Sequence, residues 1–200
     1  MNVFVESNFV LELAFVQQEH SACEKLLLAA ETGQIHLFLP VYSLPEVFQT
    51  LGSRRTERAE VERFVRQEIK LHLREVGVVT ADMESLGTLL RDLLLARTEV
   101  QTANLFAVTA KLARIARLLP LTTEVVEGAQ QAQLRHSLTP QDALVFASVY
   151  AGIPDNEVAE NIFVSRNEAD FKKPELLLEL RSKQCDYLSS FEAVVGRLRF

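Results

Sequence analysis

Hydrophobic and polar positions alternate between two rhythms along the chain. The first is short and apolar: Asn2-Val3-Phe4-Val5 reads as a strand buried on both faces, cut off by Glu6-Ser7-Asn8. The second is helical. Phe9–Gln17 carries Val10, Leu11, Leu13, Ala14 and Phe15 on a wide apolar face, with Asn8 as the expected N-cap. Ser21–Thr32 repeats the pattern with Leu26, Leu27, Ala29 and Ala30, and Gly33 is placed to close it. Ile35–Leu39, ended by Pro40, predicts a second strand. A strand, two helices and a strand in that order predict parallel neighbours joined by a right-handed crossover.

The middle of the chain is helical in rhythm. Ser43 and Glu46 have capping-box spacing, and the helix they open is expected to run on, interrupted near Gly52-Ser53, through Arg54–Glu75 to a stop at Gly77. Asp82–Arg97 and Glu99–Leu119 predict two further helices. The α/β rhythm then resumes: a short strand at Leu118–Leu121, a helix over Thr123–Arg135, and a small apolar helix over Ala143–Tyr150 that follows Thr139-Pro140-Gln141-Asp142. Asn161–Ser165 predicts a buried strand that leaves into Arg166-Asn167-Glu168-Ala169-Asp170-Phe171. Pro174–Lys183 and Ser189–Leu198 predict closing helices. The pattern defines one α/β domain over residues 1–200, with a central, mainly parallel sheet flanked by helices. A helical insertion is expected over residues 54–117 and a helical tail over residues 174–200.

Composition narrows the class. Gly and Pro are scarce and 48% of residues are hydrophobic, which excludes disordered and fibrous chains. Glu6 and Glu12 interrupt the only early apolar run, so neither a secretory signal nor a membrane span is expected. Cys23 and Cys185 fit no ligand or redox spacing and predict reduced thiols in a cytoplasmic protein. A net charge of −6 argues against a surface coated for nucleic acid, yet an acidic metal site would itself supply several of those charges.

Four acids recur at strand ends: Glu6 after the first strand, Glu46 after the second, Asp142 ahead of the last and Asp170 after it. In a doubly wound sheet such positions meet at one edge. Crowded carboxylates without Cys or His favour a hard cation, Mg²⁺ or Mn²⁺, able to activate water for phosphodiester cleavage. Asn8 and Asn167 add neutral oxygens, while Ser7 and Ser165 are placed to hold carboxylates in position. The same acids have structural uses: Glu46 and Asp142 suit the first turn of a helix, and Asp170 a turn.

These residues resemble the PIN domain family of metal-dependent ribonucleases, used by bacterial toxin nucleases and RNA-processing nucleases. Val3-Phe4-Val5-Glu6-Ser7-Asn8, Ser43-Leu44-Pro45-Glu46, Thr139-Pro140-Gln141-Asp142-Ala143-Leu144-Val145 and Ile162–Phe171 carry the likeness, over residues 1–52 and 118–175. The resemblance implies a three-layer PIN-like fold and RNA as substrate. It also implies Glu6, Glu46, Asp142 and Asp170 as the catalytic, metal-holding acids, and an antitoxin-like protein as a partner. Glu6 stands where the family usually has Asp, and Ser165 and Asn167 where Thr and often Asp appear. With the acidic net charge, that long first acid favours the alternative of a weak or inactive PIN-like module that binds RNA or a protein. A metal enzyme acting on DNA or small phosphates is a further alternative.

The remaining features are surface ones. Arg54, Arg55, Arg58, Arg63 and Arg66 suit either an RNA clamp or, interleaved with Glu57, Glu60, Glu62 and Glu68, a salt-bridged solvated face. Lys172 and Lys173 flank the last corner. The helical middle offers a surface for a twin subunit in a homodimer or for the antitoxin-like partner.

Overall fold

The computed structural model describes residues 1–74, 80–154 and 159–198, excepting the side chains of residues 80–82 and 84. The expected helix stop at Gly77 lies outside the described residues. Five strands form one sheet in which every pairing is parallel: β1 (Asn2–Phe4), β2 (His36–Pro40), β3 (Arg117–Leu119), β4 (Asn161–Val164) and β5 (Cys185–Leu188), in the order β3-β2-β1-β4-β5. Because the chain builds outward from β1 to β3 and then crosses back to start β4, the order reverses between β1 and β4. Open parallel sheets leave a crevice at the carboxyl ends of the strands at such a point.

Side-chain alternation along the strands sends two cores to opposite faces. Val3, Leu37, Leu39, Ile162 and Val164 meet α1 (Ser7–Phe15), α2 (His20–Glu31) and α9 (Phe191–Val195) on one face. Phe4, Phe38 and Phe163 meet α5 (Thr123–His136), α6 (Pro140–Gly152), α7 (Glu168–Phe171) and α8 (Pro174–Ser182) on the other. Phe4 stacks on Phe38 at 4.6 Å between ring centroids, and Phe163 meets Phe171 edge to face at 5.1 Å. The Phe163–Phe171 contact folds the corner after β4 back onto its own strand, and the parallel β1–β4 pairing sets that corner beside the corner after β1.

The helical middle is a hairpin of α3 (Ser43–His72) and α4 (Thr80–Ile115). At 30 and 36 residues, these helices rise about 45 and 54 Å. Neither contains the interruption that the sequence suggested. Gly52 carries an ordinary helical backbone, and Thr98 satisfies its hydroxyl within the helix by donating to Leu94 O at 2.8 Å. Arg58 then ties the two helices together, reaching Thr98 at 2.8 Å and Gln101 at 2.5 Å. The arginine cluster is largely committed to structure: Arg54 lies 4.4 Å over the Phe15 ring and Arg66 pairs with Glu62.

Three local expectations are corrected. The N-cap of α1 is Glu6, not Asn8, because Glu6 keeps an extended backbone and its carboxylate accepts from the Asn8 N–H. Ser43 lies inside α3 behind Tyr42 and makes no cap bond. β5 replaces part of the expected helical tail, and the last helix shortens to Phe191–Val195. Gly33 does close α2, at φ +75°, a conformation that opposes a side chain even with open space around it. Gly33→Ala is expected to cost about 1 kcal/mol in urea unfolding.

Candidate active site

The corner after β1 sets the site. Val5 is the last buried apolar residue of the strand segment, and the chain turns at Glu6 to begin α1. Glu6 is only 4% exposed. Its Oε2 accepts from Ser7 Oγ at 2.6 Å and from Asn8 N at 3.0 Å, while its Oε1 is buried with no hydrogen-bond partner among the described residues. Burial pushes the Glu6 carboxyl above its ordinary range, against the lowering effect of these hydrogen bonds and of Ser165. A buried carboxylate oxygen without a donor is expensive unless a proton or a cation meets it.

Glu46, in the first turn of α3, faces the same space. Its carboxyl is raised first by burial, then by the neighbouring Glu6 and Asp142 charges, with the Ser7 hydroxyl opposing. Asp142 belongs to α6, where Thr139 is the N-cap: Thr139 Oγ1 accepts from the Asp142 N–H at 3.2 Å and donates to its carboxylate. Glu6, Ser7, Asn8, Leu11, Glu46, Asp142, Arg166 and Asn167 thus surround one cleft of about 380 Å³, with Val145 and Phe171 as apolar wall. Three carboxylates from widely separated sequence segments, Glu6, Glu46 and Asp142, share it, at the sheet's switch point.

Asp170, the fourth acid, stands one step outside. Asn167 joins it to the cleft, its Nδ2 donating to Asp142 Oδ1 at 3.1 Å and to Asp170 Oδ2 at 3.0 Å. Lys173 approaches Asp170 at 3.8 Å and donates to the His136 carbonyl at 2.9 Å; Lys172 pairs with Glu168. Neither lysine lines the cleft. Ser165 is fully buried and accepts from Asn167 N at 3.0 Å, so it shapes the corner that presents Asn167. An adjoining cleft of about 550 Å³ shares Glu46, Asp142 and Asn167 and runs on along α3 past Gln49, Thr50, Ser53 and Arg54. Together they make a polar groove with Glu6, Glu46 and Asp142 at one end and Glu57 further along α3.

Sequence reasoning passed over one pair. Glu12, 1% exposed on the inner face of α1, ion-pairs with Arg166, whose guanidinium also forms part of the cleft wall. The available signal was an acid embedded in the apolar stripe between Phe9 and Leu13. Removing the arginine would strand a buried carboxylate. Arg166→Ala is expected to cost about 2 kcal/mol in denaturant unfolding, less than a fully buried pair because the arginine itself is a third exposed.

The donor set fits a hard divalent cation in kind: carboxylate oxygens, a neutral amide and one unpartnered buried oxygen. The acids are not drawn tightly together, since among the described residues no three Asp, Glu, His or Cys side chains form a ready ion-holding group. No helix among the described residues is long and apolar enough to cross a membrane.

Fold and site define a class: an all-parallel α/β protein with an acid-lined polar groove at the switch point of its sheet. Beyond that class, no family model, curated protein or solved structure matches the chain.

Proposed function

We propose that the protein is a PIN-like, Mg²⁺- or Mn²⁺-dependent ribonuclease that hydrolyses RNA phosphodiester bonds. The observation that carries this reading is the buried, unpartnered Oε1 of Glu6 in the cleft that Glu46 and Asp142 also line. Glu6, Glu46 and Asp142 would hold the ion, and Asp170 would act through Asn167 on the placing of Asp142. When bound, such an ion supplies Lewis acidity and lowers the pKa of water enough to make a nucleophile near neutral pH. The chain's own contribution is positional. Ser7 and the α1 N-terminus orient Glu6, Thr139 orients Asp142, and the groove past Gln49, Thr50 and Ser53 offers hydrogen bonds to a sugar–phosphate strand. Few free cations border that groove, so RNA binding should be weak and only mildly salt-dependent.

A second reading is favoured by one observation: Glu6 Oε2 is already engaged as the α1 cap. A module that binds RNA or a protein without cleaving it needs no more than that. Incubation of single-stranded RNA, single-stranded DNA and a generic phosphodiester with Mn²⁺, Mg²⁺ or chelator separates the two. Cleavage of RNA that requires the metal and spares the other substrates is expected. Metal binding with intact RNA in every condition would establish the second reading.

A further inference from the structure

Helix α4 is apolar on two sides. Its inner side sets Leu105 and Leu112, both fully buried, toward the body of the protein. On the other side Leu86, Leu89, Leu93, Ala96, Val100 and Ala103 follow one another at steps of three and four residues, and all are exposed. Leu86, Leu89, Leu93 and Val100 are 55%, 68%, 62% and 58% exposed. A helix that is apolar all round is ordinarily covered all round. A seam of alternating three- and four-residue steps matches another helix lying nearly parallel to it, since that spacing keeps the a and d positions facing a partner helix. Val16, 60% exposed at the end of α1, widens the seam where Leu93, Ala96 and Val100 line a groove with Phe15.

We propose that this seam is a homodimer interface, in which α4 of one copy lies parallel to α4 of a second copy about a two-fold axis along the seam. Charge decides both the occupant and the direction. With Leu86, Leu93 and Val100 at a, the flanking g positions are Asp92 and Glu99, and the e position between them is Arg97. In a parallel pair, g meets the e of the following heptad on the partner helix, which sets Asp92 against Arg97 twice by symmetry. In an antiparallel pair, g meets g and e meets e. With the whole seam overlapped, Asp92 would then oppose Glu99, and Arg97 would face the apolar Leu90. Arg97 has no ion pair among the described residues, whereas Asp92 has only an exposed one to its neighbour Arg91. The seam is therefore complementary to itself in one direction alone. This inference does not depend on the ribonuclease reading, because the seam lies on the hairpin and not in the acid-lined groove.

Sedimentation velocity over a concentration series tests it on the full chain. A dimer is expected for the wild type and a monomer for Leu93→Lys, whose exposed side chain leaves the fold intact by circular dichroism. Asp92→Arg alone should weaken the dimer by about tenfold or more, and Asp92→Arg with Arg97→Asp should restore it. Direction is read with Leu86→Cys and Ala103→Cys and a short bis-maleimide, the native Cys23 and Cys185 being buried. Each variant should cross-link to itself, since a parallel pair sets every seam residue beside its own copy. A monomeric wild type would overturn the proposal and leave the seam to a different protein. A dimer that survives Leu93→Lys, or self-cross-linking in only one cysteine variant, would overturn it equally.

Discussion

Asp142→Asn is expected to abolish metal-dependent RNA cleavage while leaving the fold in place. The two effects separate because the side chain does two jobs. As the third residue of α6 it receives the Thr139 hydroxyl and offers an oxygen to Asn167 Nδ2. An asparagine carbonyl can still do most of this, so unfolding should shift by no more than about 1 kcal/mol. The charge cannot be replaced. Asp142 is one of three carboxylates lining the cleft, and its field helps raise the Glu46 carboxyl. In the proposed site Asp142 is a direct oxygen ligand, so its loss should weaken Mn²⁺ binding, measured by calorimetry, by more than the roughly 10–100-fold that even outer-shell changes cost. Cleavage should fall by at least about 10²-fold. Wild-type turnover in the variant would show that Asp142 is a helix cap and nothing more.

That separation of cap from ligand is also where the sequence stops being legible. Strand β1 and the presence of a polar corner behind it can be read from residue order, but not that Glu6 rather than Asn8 caps α1, since that depends on the extended backbone Glu6 keeps. The Thr139–Asp142 cap can be read as well, its partners being three residues apart. β5 could not, since Asp186 and Tyr187 interrupt its apolar character; an edge strand can carry them because it is covered less completely than its neighbours. The continuity of α3 and α4 was hidden for a related reason. Thr98 reads as a weak point until Arg58, forty residues away in sequence, is seen to bind it across the hairpin. At the site, chain order brought Glu6, Glu46 and Asp142 to one edge of a sheet. Only the folded structure reveals that Asn167, at its own corner, links Asp142 to an Asp170 that stands outside the cleft.

Glu6→Gln should make the metal-free protein more stable near neutral pH and remove its response to metal. Glu6 is buried, and its folded-state carboxyl titrates above the ordinary range chiefly because burial disfavours the charge. For a group whose pKa is raised on folding, the favourable contribution is complete below the unfolded value and is lost as pH rises through the folded one. Above that window the wild type carries a charge that the fold disfavours, whereas glutamine carries none. A gain of about 1 kcal/mol is the usual size when a functional site is relieved of such a group. At pH low enough to protonate Glu6, the difference should shrink towards zero. In the proposed site a cation would reverse the wild-type penalty, because it would bind the folded state and not the unfolded one. At a hundred times its dissociation constant the stabilisation is about 2.7 kcal/mol. That stabilisation should weaken as pH falls, since protons and cation compete for Glu6 and Glu46, whose carboxyls are both raised. Glutamine offers one neutral oxygen in place of a carboxylate, so the metal-induced shift in Tm should largely disappear. Thermal melts of both proteins across pH, with and without Mn²⁺, measure every part of this. If Glu6→Gln melts below the wild type without metal at neutral pH, Glu6 is serving as the α1 cap that its Oε2 resembles, and its unpartnered Oε1 has no ligand to explain it.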